Sequence, residues 1–265
     1  MGYRAKKRLG QNFLNNTNII SAIIAEAKIK PADYMIEIGP GLGALTTEIL
    51  KITKAIEVIE YDQDLITPLR QKCYGFGTIN ITHQDVLTVD FEKFCHGKKM
   101  RVIGNLPYNI ASLVLFHLVQ FSAHIEDMYF MLQKEVVERI TASRNNKNYG
   151  RLSIMMQYHF ICQGLLNISK EAFWPKPKVE SQMLRLTPFK QKPYIANNYL
   201  LFKSIVKHTF QHRRKTLNNT LKLFVKDPGV LKNIPVDTQL RPENLSVANF
   251  VDLSNYLERF ACQPM

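Results

Sequence analysis

The chain has 265 residues, 46% of them hydrophobic, and carries 35 Lys and Arg against 22 Asp and Glu, for a formal net charge of +13. This composition predicts a globular protein of one or two domains that attracts polyanions such as RNA. No apolar stretch is long enough to cross a bilayer, and no signal-peptide pattern follows the basic N-terminal residues. We therefore expect a soluble, cytoplasmic protein without a membrane partner.

The N-terminal segment is basic. Four cations lie before the first acidic residue of the chain: Arg4, Lys6, Lys7 and Arg8. Such a cluster indicates either contacts with RNA phosphates or a solvated basic face. The segment QNFL at residues 11–14 follows, and it is compatible with a flap over a ligand pocket or with a helix-entry turn that packs Phe13 inside.

The middle of the chain alternates strand-like and helix-like patterns, which predicts a mostly parallel sheet with helices on its faces. The predicted strands are residues 35–38, 55–59, 79–82, 101–104 and 128–132. The predicted helices are residues 45–52, 65–73, 112–121 and 134–142, the second of them capped by Asp64. Residues 160–166 and 183–186 are expected to add strands at one edge. The predicted class is α/β with a Rossmann-like sheet.

The pattern becomes helical after residue 188. Residues 200–210, 216–225 and 247–260 have helical spacing, with prolines in the connections. We predict two domains, residues 1–188 with the sheet and the basic arm, and residues 189–265 with helices.

The predicted helical domain contains a strongly basic region. Residues 190–226 include nine Lys or Arg and no Asp or Glu. Within it, Arg213, Arg214 and Lys215 are candidates for binding RNA phosphates, contacts that position RNA without specifying its sequence. A solvated basic face is the alternative for this cluster taken alone. Two basic clusters flanking a nucleotide-binding type of fold favour nucleic acid.

The spacing of the cysteines and histidines does not predict a metal site. The four cysteines are Cys73, Cys95, Cys162 and Cys262. Their spacing fits neither a zinc site nor a small disulfide scaffold, so we expect free thiols. His208 and His212 have i, i+4 spacing, but no carboxylate or cysteine nearby completes a zinc ligand set. RNA contact or a solvated helix face is the preferred interpretation of this pair.

The sequence EIGPGLG at residues 37–43 predicts a cofactor-binding turn. Gly39, Gly41 and Gly43 allow a tight strand-to-helix connection in which the backbone approaches a ligand without a Cβ in the way. The spacing is GxGxG rather than the GxGxxG of dinucleotide binders, and Glu37 stands two residues before the first glycine. This arrangement suits an amino-acid-bearing nucleoside better than a pyrophosphate.

Two further acids follow predicted strands. Glu60, in IEYD, can accept hydrogen bonds from both hydroxyls of a ribose, and Asp85, in QDV, can accept one from an adenine amino group. Each acid alone is commonly a solvated loop carboxylate or a helix cap. Three acids at successive strand ends favour a nucleoside cofactor.

The tetrapeptide NLPY at residues 105–108 predicts a site for a planar amine. The lone pair of adenine N6 is delocalised into the ring, which makes this nitrogen a poor nucleophile. Acceptors such as the Asn105 side-chain oxygen and the Leu106 backbone carbonyl favour a more tetrahedral nitrogen during attack. Tyr108 offers a face on which an extruded base can stack. Together with the glycine turn, these residues suggest methyl transfer to a base nitrogen.

The loop FWPKPKV at residues 173–179 provides a candidate for the second face of the base. Phe173 is that candidate. A proline-flanked pair such as Phe173 and Trp174 is otherwise an ordinary hydrophobic anchor of a loop.

In combination these motifs resemble the KsgA-type small-subunit ribosomal RNA adenine N6-dimethyltransferases. The similar segments, which span nearly the whole chain, are GQNFL at 10–14, EIGPGLG at 37–43, IEYD at 59–62, QDV at 84–86, GNLPYN at 104–109, MLQKEV at 131–136, YGRLS at 149–153, FWPKPKVES at 173–181 and HRRKTLNN at 212–219. The bulky Trp174 departs from the family pattern, in which smaller or polar residues follow the phenylalanine.

The resemblance implies a class I methyltransferase that uses S-adenosylmethionine. It implies dimethylation at N6 of two neighbouring adenosines near the 3′ end of small-subunit (16S) rRNA, on the assembling small ribosomal subunit, by a protein expected to be a monomer. The predicted cofactor residues are Gln11, Asn12, Leu14, Glu37, Gly39, Gly41, Gly43, Glu60, Asp85 and Asn105. The predicted residues around the target base are Asn105, Leu106, Tyr108 and Phe173.

Two alternatives remain open from the sequence. One is an Erm-like large-subunit rRNA adenine methyltransferase, which would share the fold and much of the cofactor site. The other is a small-subunit assembly factor whose chemistry is dispensable, for which the cationic surface argues.

Overall fold

The computed structural model describes residues 4–95, 97–225 and 228–260. Its strands are β1 (Phe13–Leu14), β2 (Tyr34–Ile38), β3 (Ala55–Glu60), β4 (Thr78–His83), β5 (Met100–Asn105), β6 (Ile125–Gln133), β7 (Phe160–Ile168), β8 (Phe173–Trp174) and β9 (Ser181–Pro188). Its helices are α1 (Thr17–Ala27), α2 (Ala44–Thr53), α3 (Gln63–Cys73), α4 (Ala111–Val119), α5 (Lys134–Thr141), α6 (Arg151–His159), α7 (Tyr199–Gln211), α8 (Leu217–Thr220), α9 (Pro228–Lys232) and α10 (Val247–Glu258).

Seven strands form one sheet in the order β4-β3-β2-β5-β6-β9-β7. Neighbours from β4 to β6 are parallel, whereas β6 and β9 are antiparallel. The central strands β2, β5 and β6 are buried along nearly their whole length, as expected for parallel strands covered on both faces, while the edge strand β4 is only partly buried. The α/β class and the mostly parallel sheet predicted from the sequence are confirmed.

The strand order reverses between β2 and β5, which is where open α/β sheets bind ligands beyond the carboxyl ends of their strands. These two strands approach closely at that end, with Ile38 opposite Gly104. A Cβ on Gly104 would lie 2.4 Å from the carbonyl oxygen of Ile38, so no larger residue fits without moving the backbone. The close approach brings the turn after β2 next to the turn after β5.

Helix α3 corresponds to the predicted helix at residues 65–73, but its N-cap is a different residue from the predicted one. Asp62, rather than the predicted Asp64, is the N-cap of α3, and its Oδ1 accepts a hydrogen bond from the Asp64 backbone N–H. Asp64 instead lies in the first turn, where a carboxylate interacts favourably with the helix dipole. The helix therefore begins one residue earlier than Asp64, immediately beside the end of β3.

A two-stranded sheet absent from the prediction joins two distant motifs. β1 pairs antiparallel with β8, so that Phe13 lies opposite Trp174 and Leu14 opposite Phe173. Strands of two residues carry too little periodicity to be recognised from the sequence. This pairing attaches the QNFL segment to the proline-rich loop.

The chain divides into two compact units. One consists of the described parts of Met1–Val137 together with Gln163–Pro188, and the other of the described parts of Glu138–Cys162 together with Phe189–Met265. One boundary between the units falls at residue 188, where the sequence predicted a domain boundary, and residues 138–162, which the prediction placed in the first domain, belong to the second unit. The cause is α6, which packs with α7 and α10 around a buried aromatic group that includes Tyr158 and Phe202.

Several helices also differ from the prediction. Predicted residues 216–225 form only the short α8 and a 3-10 turn at Leu221–Leu223, while α1, α6 and α9 were not predicted. Lys226 and Cys262 lie outside the described residues; Cys73, Cys95 and Cys162 are free thiols. Within the described ranges, no helix combines the length and hydropathy needed to span a bilayer.

Candidate active site

A cavity of about 270 Å³ lies at the carboxyl ends of β2, β3 and β5, within the first unit. Its walls come from five segments, which are residues 8–14, the glycine turn after β2, the turn after β3, residues 84–87 after β4, and residues 105–110 after β5. Segments that are distant in sequence meet here because parallel strands end at the same edge of the sheet.

The glycine turn forms one wall of the cavity. Gly39 and Gly41 line it, both with positive φ angles of 67° and 56°. A Cβ on Gly41 would lie 2.9 Å from Cδ1 of Phe13, so the ring of Phe13 occupies the space that a larger residue would need. Gly43, predicted to contact a cofactor, does not line the cavity; it precedes α2, and a Cβ there would meet Leu69 at 2.8 Å.

Glu60 lies at the end of β3 and is buried, with 5% of its surface exposed. Its Oε2 accepts a hydrogen bond from the Gly41 backbone N–H at 3.1 Å, and its Oε1 accepts one from the Asp62 N–H at 2.7 Å. Burial raises the pKa of Glu60, and these two hydrogen bonds oppose that shift. Each oxygen retains a second lone pair, so the carboxylate is held in place with acceptor capacity toward the cavity.

Glu37 is the deepest acid of the site. It is 2% exposed, and its Oε2 accepts a hydrogen bond from the Thr46 hydroxyl at 2.6 Å. Burial raises the pKa of Glu37 to about 8, and the negative charge of Glu60 adds to the shift. Glu37 therefore couples the end of β2 to α2 in addition to lining the cavity.

The remaining predicted cofactor residues also border the cavity: Gln11, Asn12, Leu14 and Asp85. Asp85 is half-buried and caps a 3-10 turn, since its Oδ1 accepts from the Leu87 N–H at 2.9 Å. Gln11 donates to Oδ2 of Asp62 at 2.8 Å, which holds the QNFL segment against the turn after β3. In the structure the QNFL segment forms part of the cavity wall, and the side chain of Phe13 is buried.

Asn105, Leu106 and Tyr108, which follow β5, form another wall of the cavity. The Asn105 Nδ2 donates to the backbone carbonyl of Asn12 at 2.7 Å, and this hydrogen bond assigns the other end of the amide as an oxygen acceptor. The Tyr108 hydroxyl is 2.8 Å from the hydroxyl of Ser181, and burial raises its pKa, so the phenol is protonated at neutral pH. The structure thus brings the predicted amine site next to the glycine turn.

Phe173 is not placed as predicted. The ring is 3% exposed, belongs to the hydrophobic core with Leu14, and does not line the cavity. Side chains of successive strand residues point to opposite faces, so Trp174, the next residue of β8, is the exposed member of the pair. In this conformation the Phe173 ring has no free face for a base.

The cations of the two basic clusters differ in their surroundings. Lys6 forms ion pairs with Asp62 at 2.5 Å and Asp64 at 2.6 Å, and Arg213 forms one with Glu243 at 2.5 Å. These two charges are compensated within the protein. The other predicted phosphate ligands are exposed: Arg4, Lys7, Arg8, Arg214 and Lys215.

Sequence reasoning missed several residues of the site, among them Tyr61, Asp62 and Asn109. All three of them are close in sequence to predicted residues. Tyr61 and Asn109 line the cavity, and Asp62 anchors the N-terminal segment through Lys6 and Gln11. Tyr61 is 56% exposed, which a strand-end position in IEYD could have suggested. Across the described ranges, no three His, Cys, Asp or Glu side chains gather in a potential metal site.

Comparison with known proteins identifies the fold and the family. The family model described as ribosomal RNA adenine dimethylase matches residues 2–259. The chain belongs to the ribosomal RNA adenine dimethylase family. A ribosomal RNA small subunit methyltransferase A from Francisella tularensis subsp. novicida is 50% identical over 260 residues, covering 96% of this chain and 98% of the relative.

Solved structures agree with this family. A dimethyladenosine transferase from Plasmodium falciparum superposes with a TM-score of 0.77 at 26% identity, covering 91% of this chain and 95% of that one. The 23S rRNA methyltransferase ErmE shares the fold, with a TM-score of 0.71 at 23% identity, covering 93% and 100%. As a member of this family, the protein is an rRNA adenine methyltransferase that uses a methyl donor of the S-adenosylmethionine type.

Proposed function

We propose that this enzyme transfers methyl groups from S-adenosylmethionine to N6 of two neighbouring adenosines near the 3′ end of small-subunit (16S) rRNA, in the cytoplasm, on an assembling small subunit. The observation that carries the proposal is the position of Asn105, which lines the same cavity as the glycine turn and whose amide oxygen is left as an acceptor by the hydrogen bond from its Nδ2 to Asn12. The small-subunit substrate is supported by the 50% identical relative, whose name specifies that subunit.

The residues present fit S-adenosylmethionine. Glu60 and Asp85 present carboxylate acceptors after neighbouring strands, as a ribose and an adenine amine require. Gly39 and Gly41 keep the turn free of side chains where the amino-acid portion would approach. Gln11, Asn12 and Leu14 would cover the ligand from the N-terminal side. When bound, S-adenosylmethionine supplies an electrophilic methyl group on a sulfonium sulfur.

The protein's contribution to the chemistry is to orient an amine and make its lone pair available. The Asn105 side-chain oxygen and the Leu106 carbonyl would accept the two N6 hydrogens, which favours a tetrahedral nitrogen. A strong base is not needed, because the alkylated amine is acidic and can lose its proton to water. Positioning and electrostatics therefore account for most of the acceleration.

The target base needs a stacking partner, and Tyr108 offers a ring on the same wall as Asn105. Phe173 would take the second face of the base only if the loop that carries it rearranged to expose the ring. Exposed Arg4, Lys7, Arg8, Arg214 and Lys215 would bind phosphates of the rRNA, with an affinity that falls as salt increases.

The test is methylation of ribosomal subunits that lack the modification. We expect incorporation of labelled methyl groups into small subunits, with mass spectrometry locating two adjacent dimethyladenosines in the digested 16S rRNA. Large subunits incubated in parallel are the control. Modification of the large subunit alone would contradict the proposed substrate and favour the Erm-like alternative.

A further inference from the structure

The side chain of Trp174 is unusually accessible for a residue of its size. The indole is 49% exposed, although large aromatic side chains gain most from burial. The preceding residue, Phe173, is buried in the hydrophobic core. Successive side chains of a strand point to opposite faces, so Trp174 lies on the other face of β8. The exposure of Trp174 is therefore determined by the pairing of β8 with β1, which fixes the face to which each side chain of β8 points.

The side chain of Phe13 connects Trp174 to the cofactor cavity. Its ring stacks on Phe13, with centroids 6.4 Å apart and an angle of 24° between the ring planes. Phe13 lines the cavity and contacts Gly41 of the glycine turn. The indole is thus braced on one side by a ring that belongs to the active site.

The loop that carries Trp174 and the N-terminal segment that pairs with it both contain cations. Lys178 is exposed in the same loop, whereas Lys176 is paired with Glu171 at 2.5 Å. Arg8 is exposed and lines the cavity on the side of β1. Proteins bind single-stranded RNA with exposed aromatic rings on which any base can stack and with cations on the same segments that contact phosphates.

We propose that Trp174 is a stacking platform for a nucleotide that flanks the target adenosine in the RNA substrate. The inference rests on the proposed function, because it assumes that RNA enters the cavity beside Phe13. A base extruded toward Asn105 leaves its neighbours unstacked, and an indole held by Phe13 offers one of them a new partner. Trp174 would thereby contribute to substrate binding rather than to the methyl transfer itself.

The chain contains a single tryptophan, so intrinsic tryptophan fluorescence reports on this position alone. The probe is an RNA hairpin whose loop carries two adjacent adenosines, titrated without cofactor so that no turnover occurs. We expect stacking to quench the fluorescence saturably and to protect the indole from acrylamide. Binding of the hairpin without any change in fluorescence or acrylamide accessibility would overturn the proposal.

Kinetics with small subunits provide the second measurement. We expect Trp174→Leu to raise KM about 10-fold with kcat within 2-fold, since stacking on an aromatic ring is worth that order of affinity, and Trp174→Phe to stay near the wild type. Tyr74→Leu is the matched control, because Tyr74 is 88% exposed and does not line the cavity. A fall in kcat alone, or equal effects of Leu and Phe, would overturn the proposal.

The two hypotheses fail differently. If the wild-type enzyme methylates small subunits and Trp174→Leu leaves KM unchanged, the platform is refuted and the proposed function stands. If the wild type does not methylate small subunits but the hairpin quenches the fluorescence, the platform is supported and the substrate assignment is refuted.

Discussion

The two walls of the cavity use their polar groups differently. On the glycine-turn wall, Glu37 and Glu60 are buried, and their oxygens accept hydrogen bonds from Thr46 and from backbone N–H groups of the protein itself. On the wall formed by the residues after β5, Asn105 is fixed by one donated hydrogen bond, which leaves its oxygen for a ligand. The first wall is therefore shaped by internal contacts, and the second is directed at the substrate.

This difference separates binding from chemistry. Changes on the glycine-turn wall should alter stability and cofactor affinity, whereas loss of the Asn105 side chain should act mainly on the rate of methylation. Variants that violate this division would show that the two walls act as one unit.

The largest effect is expected for Asn105→Ala. Loss of the acceptor should lower kcat for methylation by about 10²–10³-fold, the range typical of removing one group that stabilises a transition state. RNA affinity should stay nearly unchanged, because a neutral side chain contributes little to phosphate attraction. Rapid-quench methylation and filter binding to small subunits measure the two quantities.

Asn109→Ala is the matched control for this variant, since Asn109 lines the same wall but is exposed. Its kcat should remain within a few-fold of the wild type. Parallel losses of binding and methylation in Asn105→Ala would argue against separate roles, and would weaken the case against a mainly structural assembly factor.

The second prediction concerns Gly41→Ala on the other wall. Alanine in a left-handed conformation costs about 1–2 kcal/mol, and its Cβ would in addition displace the ring of Phe13. We expect cofactor affinity to fall by about 10-fold or more in isothermal titration, with a lower melting temperature. Gly75→Ala supplies the control, because Gly75 has a φ of 84° but no atom within 4 Å of its Cβ position.

Gly75→Ala should therefore show the conformational cost without the loss of cofactor affinity. If both alanine variants bind the cofactor equally well, the contact between Gly41 and Phe13 does not shape the cavity.

The third prediction is a pH dependence of stability that arises from Glu37. Burial raises its pKa from 4.5 to about 8, so between these values the folded state retains a proton that the unfolded state has released. Stability should fall as pH rises through this window, by at most about 1.4 kcal/mol per pH unit from this group. Glu37→Gln should remove this part of the slope and still accept from Thr46.

Chemical denaturation at pH 5, 6.5 and 8 measures the difference. The pKa of Glu60 is also raised, but below pH 8 Glu60 has a neutral neighbour at position 37 in both folded proteins, so its contribution largely cancels in the comparison. Identical pH slopes for the wild type and Glu37→Gln would show that Glu37 titrates near its ordinary value in the folded protein.

The sequence was informative where a local pattern has a direct structural cause. The five strands of the parallel sheet, the glycine turn and Asn105 were all predicted, because buried runs, glycines and strand-end polar residues are visible over a few positions. The motifs indicated a nucleoside cofactor and a base nitrogen, and the family resemblance specified them as S-adenosylmethionine and adenine N6 of rRNA.

Features that depend on distant pairing were not predictable. Phe173 and Trp174 are both aromatic, and only the pairing of β8 with β1 determines which ring is buried. Lys6 and Arg213 look like free cations in the sequence, but carboxylates 56 and 30 positions away compensate them. The assignment of residues 138–162 to the second unit likewise depends on contacts with helices that follow residue 198.

The smallest effect is expected for Tyr108→Phe. If Tyr108 serves as a ring face for the base, removing its hydroxyl should change kcat and KM by only a few-fold, while the lost hydrogen bond to Ser181 should destabilise the fold by about 1 kcal/mol. Tyr108→Leu should raise KM much more. Tyr108→Phe leaves the buried Ser181 hydroxyl without this partner. The double variant Tyr108→Phe, Ser181→Ala removes that hydroxyl as well and should recover part of the stability. A large kcat loss in Tyr108→Phe would mean that the phenol, not the ring face, acts on the substrate.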